Sequence, residues 1–144
     1  MNIAEIRKTL RHGDNQQLEL MAREILCRGR SHEYMKDLSR YANEFDDLLL
    51  RIGAEDQDYL ALVYILAGHL IEIRSGICAC SIIQKPMYNS PERLGGILEI
   101  IGEKFVKKDY SVHTHSRCLA CGKEYESKTV ESGFGQKVIW SEYR

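Results

Sequence analysis

Two closely spaced cysteine pairs carry the chemistry of this chain: Cys78-Ala79-Cys80 and, further along, Cys118-Leu119-Ala120-Cys121-Gly122. Together they hold four of the five cysteines, and two short knuckles with two sulfurs each are what a tetrahedral metal site needs. Four thiolates around Zn²⁺ form a closed shell with no open position for water or substrate. The site expected from Cys78, Cys80, Cys118 and Cys121 is therefore structural zinc, an architectural element before it is a catalytic one. C-x-x-C-G is the usual knuckle spacing, whereas C-x-C is tighter than typical zinc pairs. Two other readings stand beside it: cysteines that pack as small buried hydrophobes, and a redox pair at Cys118 and Cys121, although nothing in the chain resembles the βαβ context such a pair needs. Cys27 stands alone and reads as a core residue.

His113 and His115 fall on one face of a strand-like segment close to Cys118, and two histidines could replace two of the thiolates. The plainer alternative is a pair of half-exposed strand histidines. His69 lies inside an apolar run and reads as a core histidine. No G-x-S-x-G, H-E-x-x-H, P-loop or G-x-G-x-x-G occurs, and the H-x-E and P-C-x-x-C of zinc deaminases are missing too, so no catalytic set is expected. Glu44, Asp46, Asp47, Glu55, Asp56 and Asp58 stand against a single Arg51. Three of them, Glu55, Asp56 and Asp58, suit the first turn of a helix, where the dipole favours carboxylates. The functional alternative is an acidic surface that steers a basic partner into a complex.

These residues need elements to position them. The chain has 144 residues, 44% hydrophobic and 28% charged, with two prolines. At this size about two thirds of the unfolded surface is buried on folding, and the expectation is one domain over residues 1–144, with a helical part (1–76) and a zinc-linked part (77–144). Charged residues interrupt the start, Met1-Asn2-Ile3-Ala4-Glu5-Ile6-Arg7-Lys8, where a signal peptide would be apolar. The expected place is the cytoplasm, where thiols stay reduced and metal binding is favoured over disulfides. The formal net charge of −1 gives no sign of a nucleic-acid partner. Residues 1–76 hold 10 Lys/Arg against 13 Asp/Glu, and the remainder 10 against 8; a zinc tetrathiolate would cancel the basic excess of the second half.

Apolar spacing predicts helices over 2–11 and over 14–28, the second opened by Asp14 and ended by Gly29. It predicts a longer one from Ser31 through Leu49, with Tyr34, Leu38, Tyr41, Phe45, Leu48 and Leu49 as its stripe, broken at Gly53. The run from Tyr59 to Ile73 is apolar nearly all round, as in the middle helix of a bundle, and is too short to span a membrane. Residues 77–83 are short and β-branched up to Pro86. Ser90-Pro91-Glu92 then reads as the start of a last helix reaching Lys107, with Leu94, Ile97, Leu98, Ile101 and Phe105 buried. Tyr110–His115, Lys123–Val130 and Gln136–Trp140 alternate as strands, with a Gly133-Phe134-Gly135 turn before the last. The fold class expected is α+β: an N-terminal helical bundle with a small C-terminal antiparallel sheet carrying a zinc-ribbon-like four-cysteine site.

Arg74-Ser75-Gly76-x-Cys78-x-Cys80 after an apolar helix, then Cys118-x-x-Cys121-Gly122-x-x-Tyr125 and a closing Val138-Ile139-Trp140, resembles small bacterial immunity proteins. These protect cells from polymorphic toxins, including those of contact-dependent growth inhibition. The resemblance covers roughly the C-terminal half and implies a cytoplasmic protein that binds one toxin domain, commonly a nuclease, and blocks its active site. It implies the four cysteines as metal ligands and transfers no binding residues. Two other classes remain open. A zinc-ribbon adaptor for nucleic acid or another protein would line up Lys104, Lys107, Lys108, Arg117, Lys123 and Lys128 with Tyr110 and Tyr125. A hydrolase would use a metal with an open position and His113 or His115 as ligand.

Overall fold

The computed structural model describes residues 1–144 except Gly29, Tyr88 and Arg144, and the backbone alone of Ser132. The Gly29 stop expected from the sequence lies outside the described residues. Two short helices come first, α1 (Ile3–His12) and α2 (Asn15–Cys27). Asp14 caps α2 with a full capping box: its carboxylate accepts from the Gln17 backbone while the Gln17 side chain accepts from the Asp14 N–H.

The single helix expected from Ser31 to Leu49 is two, α3 (His32–Ser39) and α4 (Ala42–Arg51). Ser31 caps α3 as expected. The break is local: Ser39 turns its hydroxyl back to the Lys36 carbonyl at 2.6 Å, and the Arg40 and Tyr41 N–H groups reach back three residues to Asp37 and Leu38. A serine that bonds its own backbone competes with helix continuation. The bend keeps Leu38, Ala42, Phe45 and Leu48 buried, so one apolar stripe survives across two helices.

Helix α5 (Ala61–Arg74) packs against α2, α3 and α4, and Val63, Leu66, Ala67, His69 and Leu70 are buried along it. It ends in a Schellman turn. Gly76 takes φ +100°, its N–H bonds Ile73 O at 3.0 Å, and the Ile77 N–H bonds Glu72 O at 3.0 Å. A side chain at position 76 would strain that backbone. The β-branched run that follows is a 3-10 segment, Ala79–Gln84.

The helix expected from Ser90 to Lys107 does not form. A 3-10 turn, Glu92–Leu94, leads into an edge strand, β1 (Leu98–Val106), paired with β2 (Ser111–Cys118), β3 (Glu124–Ser132) and β4 (Gly135–Glu142) in one antiparallel sheet of order β1-β2-β3-β4. Leu94, Ile97 and Leu98 are buried as expected, but Ile101 and Phe105 are exposed. The same spacing fits a helical stripe and a strand; Ile100, Ile101 and Val106 are β-branched, Gly102 weakens a helix, and β2 needs a partner on its outer edge. Register shifts by one at Ile101, between Ile100↔Ser116 and Gly102↔His115. The helical core continues into the sheet's near end through Cys80, Ile82, Leu94, Leu98, Cys118 and Tyr125.

Leu66 is fully buried, so Leu66→Asp places an unpaired carboxylate in the core, which costs several kcal/mol and unfolds the protein; Lys36→Asp, on an exposed position, shifts stability by less than about 0.5 kcal/mol. Urea melts of the two variants check this. Burial, with the Lys85 ammonium nearby, pushes the His69 imidazole down to about 4 from 6.5. The unfolded ring gains its proton near pH 6.5 and the folded ring only near pH 4. The associated stability is therefore present above pH 6.5 and lost as pH falls towards 4, on the order of 3 kcal/mol. Comparing wild type with His69→Gln across that window isolates the effect: the wild type should lose more stability on acidification.

Candidate metal centre and partner surface

Each cysteine pair is presented by a turn. The Schellman turn after α5 delivers Cys78 and Cys80 at the mouth of the 3-10 segment, where the Ser81 N–H bonds Cys78 O. Cys118 ends β2, and the chain returns through Cys121 and Gly122, with Gly122 at φ +76°, its N–H on Cys118 O, and the Cys118 N–H on Lys123 O at 2.8 Å. That turn aims the Ala120 and Cys121 N–H groups at Cys118 Sγ, 3.4 and 3.5 Å away. Position 122 demands glycine for the same reason as position 76.

The four sulfurs lie within 4.8 Å of one another. Cys78 Sγ is 3.5 Å from Cys118 Sγ, and Cys80 Sγ is 3.7 Å from Cys121 Sγ. A tetrahedron with metal–sulfur bonds of about 2.3 Å has edges of about 3.8 Å. The four cysteines are thus brought together in a group that can hold a metal ion. Both short approaches run from the helical part to the sheet.

Two further side chains touch the sulfurs. The Tyr125 hydroxyl is 3.1 Å from Cys80 Sγ. Burial and the bond to Cys80 raise the Tyr125 phenol, so it stays protonated and donates. His32, at the first turn of α3, places Nε2 3.0 Å from Ile97 O and 3.4 Å from Cys118 Sγ. A carbonyl only accepts, so Nε2 carries the hydrogen and shares it between the two. Sequence spacing held no signal for His32, which comes from a helix far from either cysteine pair. Tyr125 was legible only as an aromatic after the knuckle.

Burial pushes the Cys80 and Cys118 thiols up. At Cys121 burial also acts upwards, but hydrogen bonding from the Lys123 backbone and the neighbouring thiols outweighs it and the thiol is lowered. A bound dication would reverse the burial effect, since coordinated thiols are deprotonated.

His113 and His115 do not join this group. Along β2 the side chains alternate, and Thr114, Ser116 and Cys118 point to the helical side while His113, His115 and Arg117 point away. His113 Nδ1 lies 3.0 Å from Glu126, and His115 lies 3.1 Å from Glu124 and stacks on Tyr143 at 4.0 Å. Three of the six basic residues named above are engaged: Arg117 with Glu99, Lys123 with Glu142, and Lys128 with Asp109. Tyr125 is buried against Cys80 and offers no face to a nucleic-acid base.

The acidic residues divide. Glu44 is half-buried between Arg7 and Arg11, which hold it at 2.9 and 3.2 Å and lower its carboxyl. Among the described residues, Asp46, Asp47, Glu55, Asp56 and Asp58 form no ion pair. Arg51, their one basic neighbour in sequence, donates instead to Leu10 O at 3.1 Å. Leu50 is 86% exposed and Tyr59 55% exposed within the same segment.

No protein-family model, curated protein or solved structure matches the chain.

Hydrogen bonds to a charged acceptor are among the stronger ones, and outer groups around a metal typically change its affinity 10- to 100-fold. Tyr125→Phe keeps the ring and removes the O–H, so metal affinity should fall by about tenfold with little change in fold. Competition against a chelator, alongside circular dichroism, checks it.

Proposed function

We propose that this chain is an immunity-type binding protein that engages a cognate basic toxin domain of the nuclease kind and blocks its active site. One structural Zn²⁺ on Cys78, Cys80, Cys118 and Cys121 ties its helical part to its sheet. The main support is the segment from Asp46 to Tyr59. Among the described residues five carboxylates there form no ion pair, and the same segment carries two large exposed apolar side chains, Leu50 and Tyr59. Apolar or aromatic anchors with a polar rim are the anatomy of a protein interface, and unpaired acids speed the approach of a basic partner. The resemblance of the Cys78–Trp140 pattern to immunity proteins points the same way. Zinc is supported by four soft donors at tetrahedral spacing, and a reducing cytoplasm would keep them available.

Neutralisation by occlusion requires nanomolar or tighter binding over about 1,200 to 2,000 Å². The wild type should bind and inhibit the product of the gene upstream of its own, with an association rate that falls as salt rises. Reversing Asp46, Asp47 and Asp56 to lysine should slow association at least tenfold and leave metal content and melting temperature nearly unchanged. Full protection by that triple variant would place the interface elsewhere. Failure of the wild type to bind or neutralise the upstream product would remove the immunity reading. Elemental analysis should find one zinc per chain.

A further inference from the structure

The four sulfurs are unequally shielded. Cys80 and Cys118 are buried, Cys78 is half-buried, and Cys121 is exposed. Hydrogen-bond donors reach both buried sulfurs, and the Lys123 backbone reaches the exposed one. Cys118 Sγ is approached by the Ala120 and Cys121 N–H groups and by His32 Nε2, and Cys80 Sγ by the Tyr125 hydroxyl. Burial blocks the approach of a reagent, so Cys80 and Cys118 are protected while Cys121, although hydrogen-bonded by the Lys123 backbone, stays open to solvent. Cys121 stands on the outer side of the β2–β3 turn, 3.7 Å from Cys80 Sγ.

We propose that Cys121 is a modification site, the point at which hydroperoxides and other small soft electrophiles attack the cluster, and that Cys80 resolves the product as a Cys80–Cys121 disulfide. The Cys121 thiolate attacks one peroxide oxygen, the O–O bond breaks, hydroxide leaves, and Cys121 becomes a sulfenic acid. The Cys80 thiolate then attacks that sulfur, the S–O bond breaks, and a second hydroxide leaves. Two thiolates are oxidised by two electrons and one peroxide is reduced by two. A metal that loses two of its four ligands is released, and a second peroxide joins Cys78 to Cys118, whose sulfurs are 3.5 Å apart. Both disulfides link the 3-10 segment after α5 to the turn after β2, the same two elements that the metal would join. Oxidation therefore exchanges one cross-link for another and leaves the fold standing.

This inference rests on the metal reading for the release step only; the order of attack rests on exposure. The experiment uses the full chain as Cys27→Ser, which removes the fifth thiol. Zinc is measured before any reagent is added, which tests the metal reading separately. Substoichiometric N-ethylmaleimide followed by peptide mass mapping should label Cys121 at least fivefold above each of the other three. Hydrogen peroxide should release zinc, read with a chromophoric chelator, at about two peroxides per metal, and non-reducing peptide maps should show Cys80–Cys121 first and Cys78–Cys118 second. Circular dichroism should change little. Tyr125→Phe should raise the labelling of Cys80 relative to Cys121. First labelling at Cys78, disulfides within the knuckles (Cys78–Cys80 or Cys118–Cys121), or unfolding on oxidation would overturn the proposal.

Discussion

The inner face of the sheet is poor in the apolar surface that usually fixes a sheet to its helices. Where β2 and β3 face the helical part, the buried positions beyond Cys118 and Tyr125 are Thr114, Ser116 and Ser127. At roughly 25 cal/mol per Å² of apolar area removed from water, such short hydroxyl side chains contribute little to docking, and among the described residues the Ser116 and Ser127 hydroxyls have no hydrogen-bond partner. The four-sulfur cluster lies at the near end of that face. It gathers sulfurs from a helix C-terminal turn and from a strand turn into one group, with Tyr125 and His32 bonded to two of them. Trp140 helps, donating Nε1–H to Asn89 O at 2.9 Å, and Asn89 in turn donates to Ile82 O.

Much of this was legible in the sequence because it is local. The Asp14 and Ser31 caps, the middle helix, the closing hairpin and the pairing of two cysteine knuckles follow from spacings of two to four residues. What was not legible depends on distant partners. The segment from Leu94 to Phe105 offers apolar residues at positions that satisfy a helix, and the need of β2 for an edge partner, added to the local β-branching and Gly102, makes Leu98–Val106 a strand. The break at Arg40 hangs on one hydroxyl of Ser39, a competition that apolar periodicity does not register. Glu44 looked like its acidic neighbours until two arginines from α1 enclosed it, and the faces of His113 and His115 became clear only with the register of β2.

Helix α5 relates the two candidate sites. Its 14 residues span about 21 Å at 1.5 Å per residue. The acids Glu55, Asp56 and Asp58 precede its N-terminus, where the dipole favours negative charge, and Cys78 follows its C-terminus. Five of its residues, between Val63 and Leu70, are buried, and three other helices pack against it. Asp46 and Asp47 lie towards its C-terminal end, since Asn43, one turn before Asp46 on α4, accepts from Arg74 at the α5 C-terminus at 2.8 Å. Helix α3 adds a second link, because its His32 touches Cys118 while α4, which carries Asp46 and Asp47, follows it directly; a cross-link exchange that preserves the ends of the 3-10 segment leaves α5 where it is.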